Sequence, residues 1–422
     1  MIKKPIGLLI LFLSIQSFAQ RNSISPYSFF GIGEETAQKT VEEISMGQIG
    51  TAFSSPFQLS FSNPAALGSL QLTTYTLAGQ NKALRINDGI NSESSSAASL
   101  SYMALGIPLG TKAGFSFGLQ PNTTVGYSLL QSFSDNEDNL IAINKFKGKG
   151  GTNRVFLGFG YRLIKNLNLG IETSYIFGSS ENTLLNRRNG VILATMHKTN
   201  STVTGVAAKV GMIYDTKISD KLTLKIGGVV NLKNDLTNEG EEYLFSLVST
   251  NDDAVSPRDT LINNSFKNDI KNPLRTTLST GIGQENKWYA GIEYSFKDPL
   301  DFTDAVLDQN SVVSYSKSSR VSIGGFYLPK FNSITSYWSR ITYRAGLNYK
   351  KTGLMVNNTE VNDFGMSFGV GLPMGKQLSN INVGFELGKR GELKNQLIKE
   401  NYLNFRLSLT LNDKWFNKRK LN

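Results

Sequence analysis

Apolar and polar residues alternate one for one along two consecutive stretches of this chain. Val155, Leu157, Phe159 and Tyr161 interleave with Phe156, Gly158, Gly160 and Arg162, while Leu167, Leu169, Ile171, Tyr175 and Phe177 interleave with Asn168, Gly170, Glu172 and Ser174. Successive side chains of an extended backbone point to opposite faces, so a period of two gives each segment one greasy and one polar face. The pattern returns at Trp288 to Phe296, Ile341 to Tyr349, Ile381 to Leu387 and Leu403 to Leu411. No apolar run of the mature chain reaches the roughly eighteen residues of a membrane-crossing helix, so any embedding in a bilayer must use strands. Forty Gly against 11 Pro and a mean hydropathy of -0.19 suit many short strands and turns, and exclude both a bundle of membrane helices and a largely disordered chain. The fold class is all-β.

A greasy strand face can form the core of a soluble sandwich or face lipid on an outer-membrane barrel whose polar face lines the interior. Three features favour the barrel. Aromatics bracket the strands: the stretch from Trp288 to Phe296 spans roughly 26 Å, or about 20 Å vertically at a tilt of about 40°, near the ~25 Å apolar band of such barrels. The polar face is rich in glycine and carries Arg162, Glu172, Glu293, Arg344, Glu386 and Arg406, charges that a lumen solvates. Short connections near 108–111, 165–166, 216–221, 285–287 and 374–380 alternate with long ones near 81–95, 180–201, 234–273, 297–312 and 389–400, as short periplasmic turns alternate with long outer loops. Between them lie about 14 strands, from 70–80 to 400–412. An even number leaves both ends in the periplasm.

The first residues read as an export signal over 1–19: Lys3 and Lys4, an apolar run from Ile6 to Ile15, and a small-x-small site at Ser17-Phe18-Ala19. Removing both lysines takes the formal charge from +11 to +9. Export argues against nucleic acid as the partner of this basic chain, and outer-membrane lipid and lipopolysaccharide suit it better. Cysteine is absent and His197 is the single histidine, which removes thiolate metal sites and thiol nucleophiles. His197 lies in a polar stretch that reads as a loop. No catalytic residue, metal or cofactor is expected, and the chain does not read as an enzyme.

Residues 20–69 lack clean alternation, with a helical stretch expected over Glu34 to Ile44. About fifty residues without a core of their own need another surface, and a lumen of fourteen strands is wide enough to need a plug. The expected organisation is therefore a signal peptide 1–19, a hatch 20–69, a transmembrane antiparallel β-barrel 70–413 and a basic periplasmic tail 414–422. In that tail Trp415 and Phe416 precede Lys418, Arg419 and Lys420, an interfacial anchor or a docking tail. Glu239, Glu241, Glu242, Asp252 and Asp253 fall in the long connection 234–273 and read as a solvated loop, with a calcium site as the alternative.

The run from Met46-Gly47 to Asn63-Pro64-Ala65-Ala66-Leu67, just before the first strand, resembles the N-terminal hatch and Asn-Pro-Ala motif of FadL-type outer-membrane channels. Ser25-Pro26-Tyr27, Gly118-Leu119-Gln120-Pro121, Glu386-Leu387-Gly388-Lys389-Arg390-Gly391 and Asn412-Asp413-Lys414-Trp415-Phe416 resemble the Bacteroidota branch of that family. The resemblance implies passive uptake of long-chain fatty acids or other hydrophobic small molecules, with lateral exit into the bilayer beside a kinked third strand. Pro121 in the third candidate strand cannot donate to a ladder and marks a bulge or a gap. Asn63, Pro64 and Ala65 read as a turn or as the anchor of the hatch. Arg344, Glu386 and Arg406 read as an ion-pair ladder, or as a site for an acid headgroup. The alternative function is a non-transporting adaptor subunit of an outer-membrane secretion or assembly complex, where wall and loops bind protein partners.

Overall fold

The computed structural model describes residues 24–248, 257–300, 313–375, 378–395 and 397–414. Fourteen antiparallel strands form a wall: β1 Thr73–Asn87, β2 Ser92–Leu109, β3 Ala113–Ser134, β4 Leu140–Ile164, β5 Leu167–Arg188, β6 Leu193–Lys217, β7 Thr223–Asn231, β8 Arg275–Gln284, β9 Trp288–Lys297, β10 Ser318–Tyr327, β11 Thr342–Val356, β12 Thr359–Met374, β13 Ser379–Arg390 and β14 Lys399–Asp413. Each pairs with the next, and β14 pairs with β1 from Lys399↔Asn87 to Asp413↔Thr73, which closes the sheet. Closure answers a physical demand, since hydrocarbon offers no hydrogen bonds to an open edge. The architecture is the all-β, fourteen-stranded barrel that the alternation predicts.

The pleat sorts the side chains as expected. Val155, Leu157, Phe159 and Tyr161 point outward and are 41% to 47% exposed, whereas Phe156, between them, is 1% exposed. Glu172, Glu293, Arg344, Glu386 and Arg406 on the opposite face are all buried. Among the described residues none covers the greasy surface, whereas the polar surface has protein packed inside it.

Several expected loops are strand. β5 and β6 continue to a turn at 189–192, and β1 and β2 to a turn at 88–91. Within 234–273, two arms, Asn234–Val248 and Pro257–Asn272, pair with each other, and the first continues onto β6 from Gly205↔Leu236 to Leu193↔Val248. Above the membrane both faces meet water, so the period of two fades while the ladder continues. His197 accordingly sits in β6, with Nε2 2.6 Å from Glu242 Oε1. Glu239 lies 3.5 Å from Lys267 Nζ, and Glu241 accepts from the Tyr243 hydroxyl, so these carboxylates belong to a paired surface rather than a solvated loop. Asp252, Asp253, the signal segment 1–19 and the aromatic and basic residues 415–420 lie outside the described residues.

The expected helix over Glu34 to Ile44 is also shorter. Only α1, Val41–Ser45, is helical, started by Thr40, whose hydroxyl accepts from Glu43 N while Glu43 reaches back to Thr40 N. Glu34–Glu35 is instead extended and pairs with β3.

Because the outward face meets lipid, Leu157→Arg should cost about 2–4 kcal/mol near the bilayer midplane. Leu157→Phe should be nearly neutral. Urea unfolding of the protein in lipid vesicles measures both.

Candidate functional site

Residues 24–72 run inside the ring and touch it on all sides. Asn63 is the N-cap of a 3-10 turn, Pro64–Ser69, with Oδ1 accepting from Ala65 N at 3.0 Å. Its Nδ2 donates to Thr51 O at 2.7 Å within the segment and to Met212 O of β6 at 3.0 Å. The wall makes room with glycine: a Cβ on Gly211 would collide with Asn63 Oδ1, and one on Gly170 with Pro64 and Ala65. On the far side Gly47, at φ +72°, presses against β10 and β11, where its Cβ would stand 2.7 Å from Ile323 O and Leu347 N. Its N–H donates to Ser367 Oγ of β12 at 2.8 Å.

Charged side chains occupy the remaining lumen in three groups. In the first, Glu293 of β9 accepts from Gly50 N and Thr51 N at 3.0 Å and pairs with Lys39 at 2.9 Å and Arg320 of β10 at 3.2 Å. Arg320 donates to Gln48 Oε1 and Gln48 donates to Glu386 Oε1, both at 3.0 Å; Glu386 pairs with Arg406 at 2.8 Å, and Arg406 donates to Gln80 of β1 at 3.2 Å. This chain of contacts crosses from β9 to β1 through the inner segment.

In the second group Glu172 of β5 holds Arg154 of β4 at 2.9 Å and Lys209 of β6 at 3.1 Å, and Lys209 donates to Phe61 O at 2.6 Å. The third group centres on Glu34 and Glu35, whose side chains leave an extended backbone in opposite directions. Glu34 pairs with Lys82 of β1 at 2.9 Å and Arg390 of β13 at 2.8 Å. Glu35 pairs with Arg275 of β8 and Lys297 of β9. One dipeptide therefore ties together two distant parts of the wall. The charges of the first two groups are largely buried, and such charges persist only when partnered; in the third group Glu34 is half-buried and Glu35 exposed, and in all three the partners come from both the wall and the inner segment.

The ring has one weak seam. β2 and β3 pair only from Leu109↔Ala113 to Met103↔Leu119. Just above, Pro121 begins a register shift against β4, between Pro121↔Asn153 and Thr123↔Thr152. The inner segment fills part of the opening: Glu34 and Glu35 pair with Thr124 and Thr123, and Thr36 donates from N to Asn122 O at 3.0 Å and from Oγ1 to Pro121 O at 2.6 Å.

The seven residues singled out from sequence therefore divide. Asn63, Pro64 and Ala65 form one contact with the wall, and Pro121 marks the end of the β2–β3 seam. Glu386 and Arg406 pair as expected, but Arg344 does not join them: β11 and β13 are separated by β12, and Arg344 donates to Asn382 Oδ1 at 3.2 Å, four residues along β13 from Glu386. The expected three-membered ladder is a pair and a separate contact. Sequence reading missed Glu34, Glu35, Lys39 and Gln48; the available signal was the run of charge at Glu34, Glu35, Lys39, Glu42 and Glu43 in a segment with no clean alternation. Among the described residues no three His, Asp or Glu side chains converge as a metal site.

A closed strand ring, an outward apolar band and an inward polar face occupied by the chain's own N-terminal segment define an outer-membrane-type β-barrel. The family profile described as BamG matches residues 1–422, and the chain belongs to the BamG family. Solved structures share the fold. A FadL homologue from Pseudomonas aeruginosa aligns over 90% of this chain and 99% of its own at a TM-score of 0.62 and 13% identity. The CymD monoaromatic hydrocarbon channel covers 90% and 99% at 0.57 and 14%. The toluene transporter TbuX of Ralstonia pickettii covers 89% and 99% at 0.56 and 14%. Among curated proteins the chain finds no match. The likeness to FadL proteins expected from the motifs is thus one of fold, while the family itself is BamG.

Removing one partner from a buried charge group costs about 3–5 kcal/mol. Glu293→Ala should therefore release Gly50 and Thr51, visible as faster amide exchange at those residues, and Gly346→Val, which would push a side chain into Gly47, should do the same without any change of charge.

Proposed function

We propose that this chain is a protein-binding barrel of the outer membrane, an adaptor subunit of a secretion or assembly complex rather than a conduit, and that its inner segment is a plug. The observation that carries this reading is the partnered charge filling the lumen. The cavity beside Lys39, Glu293, Arg320, Glu386 and Arg406 has a volume of about 230 Å³, and its charged lining disfavours an apolar solute; a larger one, of about 620 Å³, lies beside Phe53, Tyr289, Phe326 and Arg344. Asn63, Pro64 and Ala65 would anchor the plug, and the three charge groups would keep it seated.

In this reading the signal peptide is 1–19, the plug 20–69, the barrel 70–413 and the tail 414–422. The working surfaces are the outer wall, in contact with outer-membrane lipid and lipopolysaccharide, and the tall hairpins formed by β3 to β6 and the two arms. No catalytic step is assigned to any residue.

A second reading has its own support. The opening between β2 and β3 beside Pro121, together with a fold shared with hydrocarbon channels, suits passive uptake of hydrophobic small molecules, fatty acids among them, with lateral exit once the plug shifts. Transport of this kind would be driven by the ligand's preference for bilayer over water.

Native purification in mild detergent, followed by mass spectrometry of proteins and extractable lipids, separates the two. Stoichiometric protein partners without bound acyl chains are expected; bound acyl chains with no partner would favour the channel. In planar bilayers the intact barrel should show no steady conductance, and Glu34→Gln combined with Glu35→Gln should produce intermittent openings as the plug loosens.

A further inference from the structure

The free edge of β2 is unusual for a barrel. From Ser92 to Tyr102 this strand pairs with β1 on one side, and among the described residues no strand pairs with its other side, since the β2–β3 ladder ends at Met103↔Leu119. Part of this edge lies at lipid depth: Ala98 is level with Asn81 and Phe405, and Leu100 with Gly79 and Leu407, and Phe405 and Leu407 face outward and are exposed. Unpaired backbone groups at that depth cost several kcal/mol each.

Exposed edges are ordinarily blunted by lysine, proline or a covering segment. Between Ser92 and Tyr102 the sequence is Ser-Glu-Ser-Ser-Ser-Ala-Ala-Ser-Leu-Ser-Tyr, with neither residue type. The outward positions Ser94, Ser96 and Ala98 are exposed and small, so they leave room for larger side chains on an incoming strand. The chain's own plug shows that this seam takes an added strand, because Glu34–Glu35 pairs with the facing edge of β3; it stops short of β2.

We propose that the open edge of β2 is a β-augmentation site, which takes an extended segment of a partner polypeptide as an added strand. Backbone groups of the partner satisfy those of residues 92–102, and the small outward residues admit its side chains. This inference rests on the adaptor reading and names the surface that reading uses.

Amide exchange read by mass spectrometry tests it, comparing the natively purified complex with the isolated mature chain, both in nanodiscs of the same lipid. Those amides of residues 92–102 that point away from β1 should exchange about a hundredfold more slowly in the complex. A photo-crosslinking residue at Ala98 should mark alternate residues of a single partner segment. Equal exchange in both samples, or crosslinks to lipid alone, would overturn the proposal while leaving the adaptor reading intact if protein partners still co-purify. Absence of any stoichiometric partner would remove the adaptor reading and this inference with it.

Discussion

Hydrocarbon cannot hydrogen-bond a peptide group, and every other feature of this barrel follows from that. A strand whose outward face is Val155, Leu157, Phe159 and Tyr161 gains by facing lipid, but its backbone must then be satisfied by neighbouring strands on both sides. Fourteen strands meet that demand by closing β14 onto β1. The seam between β2 and β3 is the place where the demand is left partly unmet, which is why the inner strand at Glu34–Glu35 and the bare edge of β2 carry such weight in any account of function.

Closure creates a second problem, a wide lumen lined by the polar face. Residues 24–72, which have no core of their own, run through it, and each side supplies what the other lacks. The inner segment brings Glu34, Glu35 and backbone amides of Gly50 and Thr51; the wall brings Lys82, Arg275, Lys297 and Arg390 to the first two and Glu293 to the amides. Buried ion pairs such as Glu293 with Lys39 add little net stability over apolar packing, but breaking one is costly. Their partners on both sides join the inner segment to named positions of the wall. Glycine does the complementary steric work, bringing the backbone of β5 and β6 against Asn63-Pro64-Ala65.

Much of this was legible beforehand, for reasons that differ by element. The wall was readable because each strand meets lipid on one side and a polar interior on the other, so its pattern is written twice, in the apolar positions and in the glycines and charges between them. The Glu386–Arg406 pair was readable because β13 and β14 are consecutive. The tall hairpins are not, because a strand with water on both faces carries no period of two, and His197 and the acidic residues near it read as loop residues for that reason. Arg344 stands apart from that pair because facing one way says nothing about which strands stand next to each other.

The sequence by itself determined the class of fold, the number of wall strands and the face each residue takes, since these depend on local alternation and on where lipid begins and ends. Tertiary structure decided which charges meet across the lumen, how Glu34 and Glu35 reach four strands at once, and that β2 keeps an open edge. Those outcomes depend on ring closure and on the path of the plug, which bring residues hundreds of positions apart within hydrogen-bonding distance, as Ser25 and Glu400 are at 2.5 Å, and no local pattern encodes such a meeting.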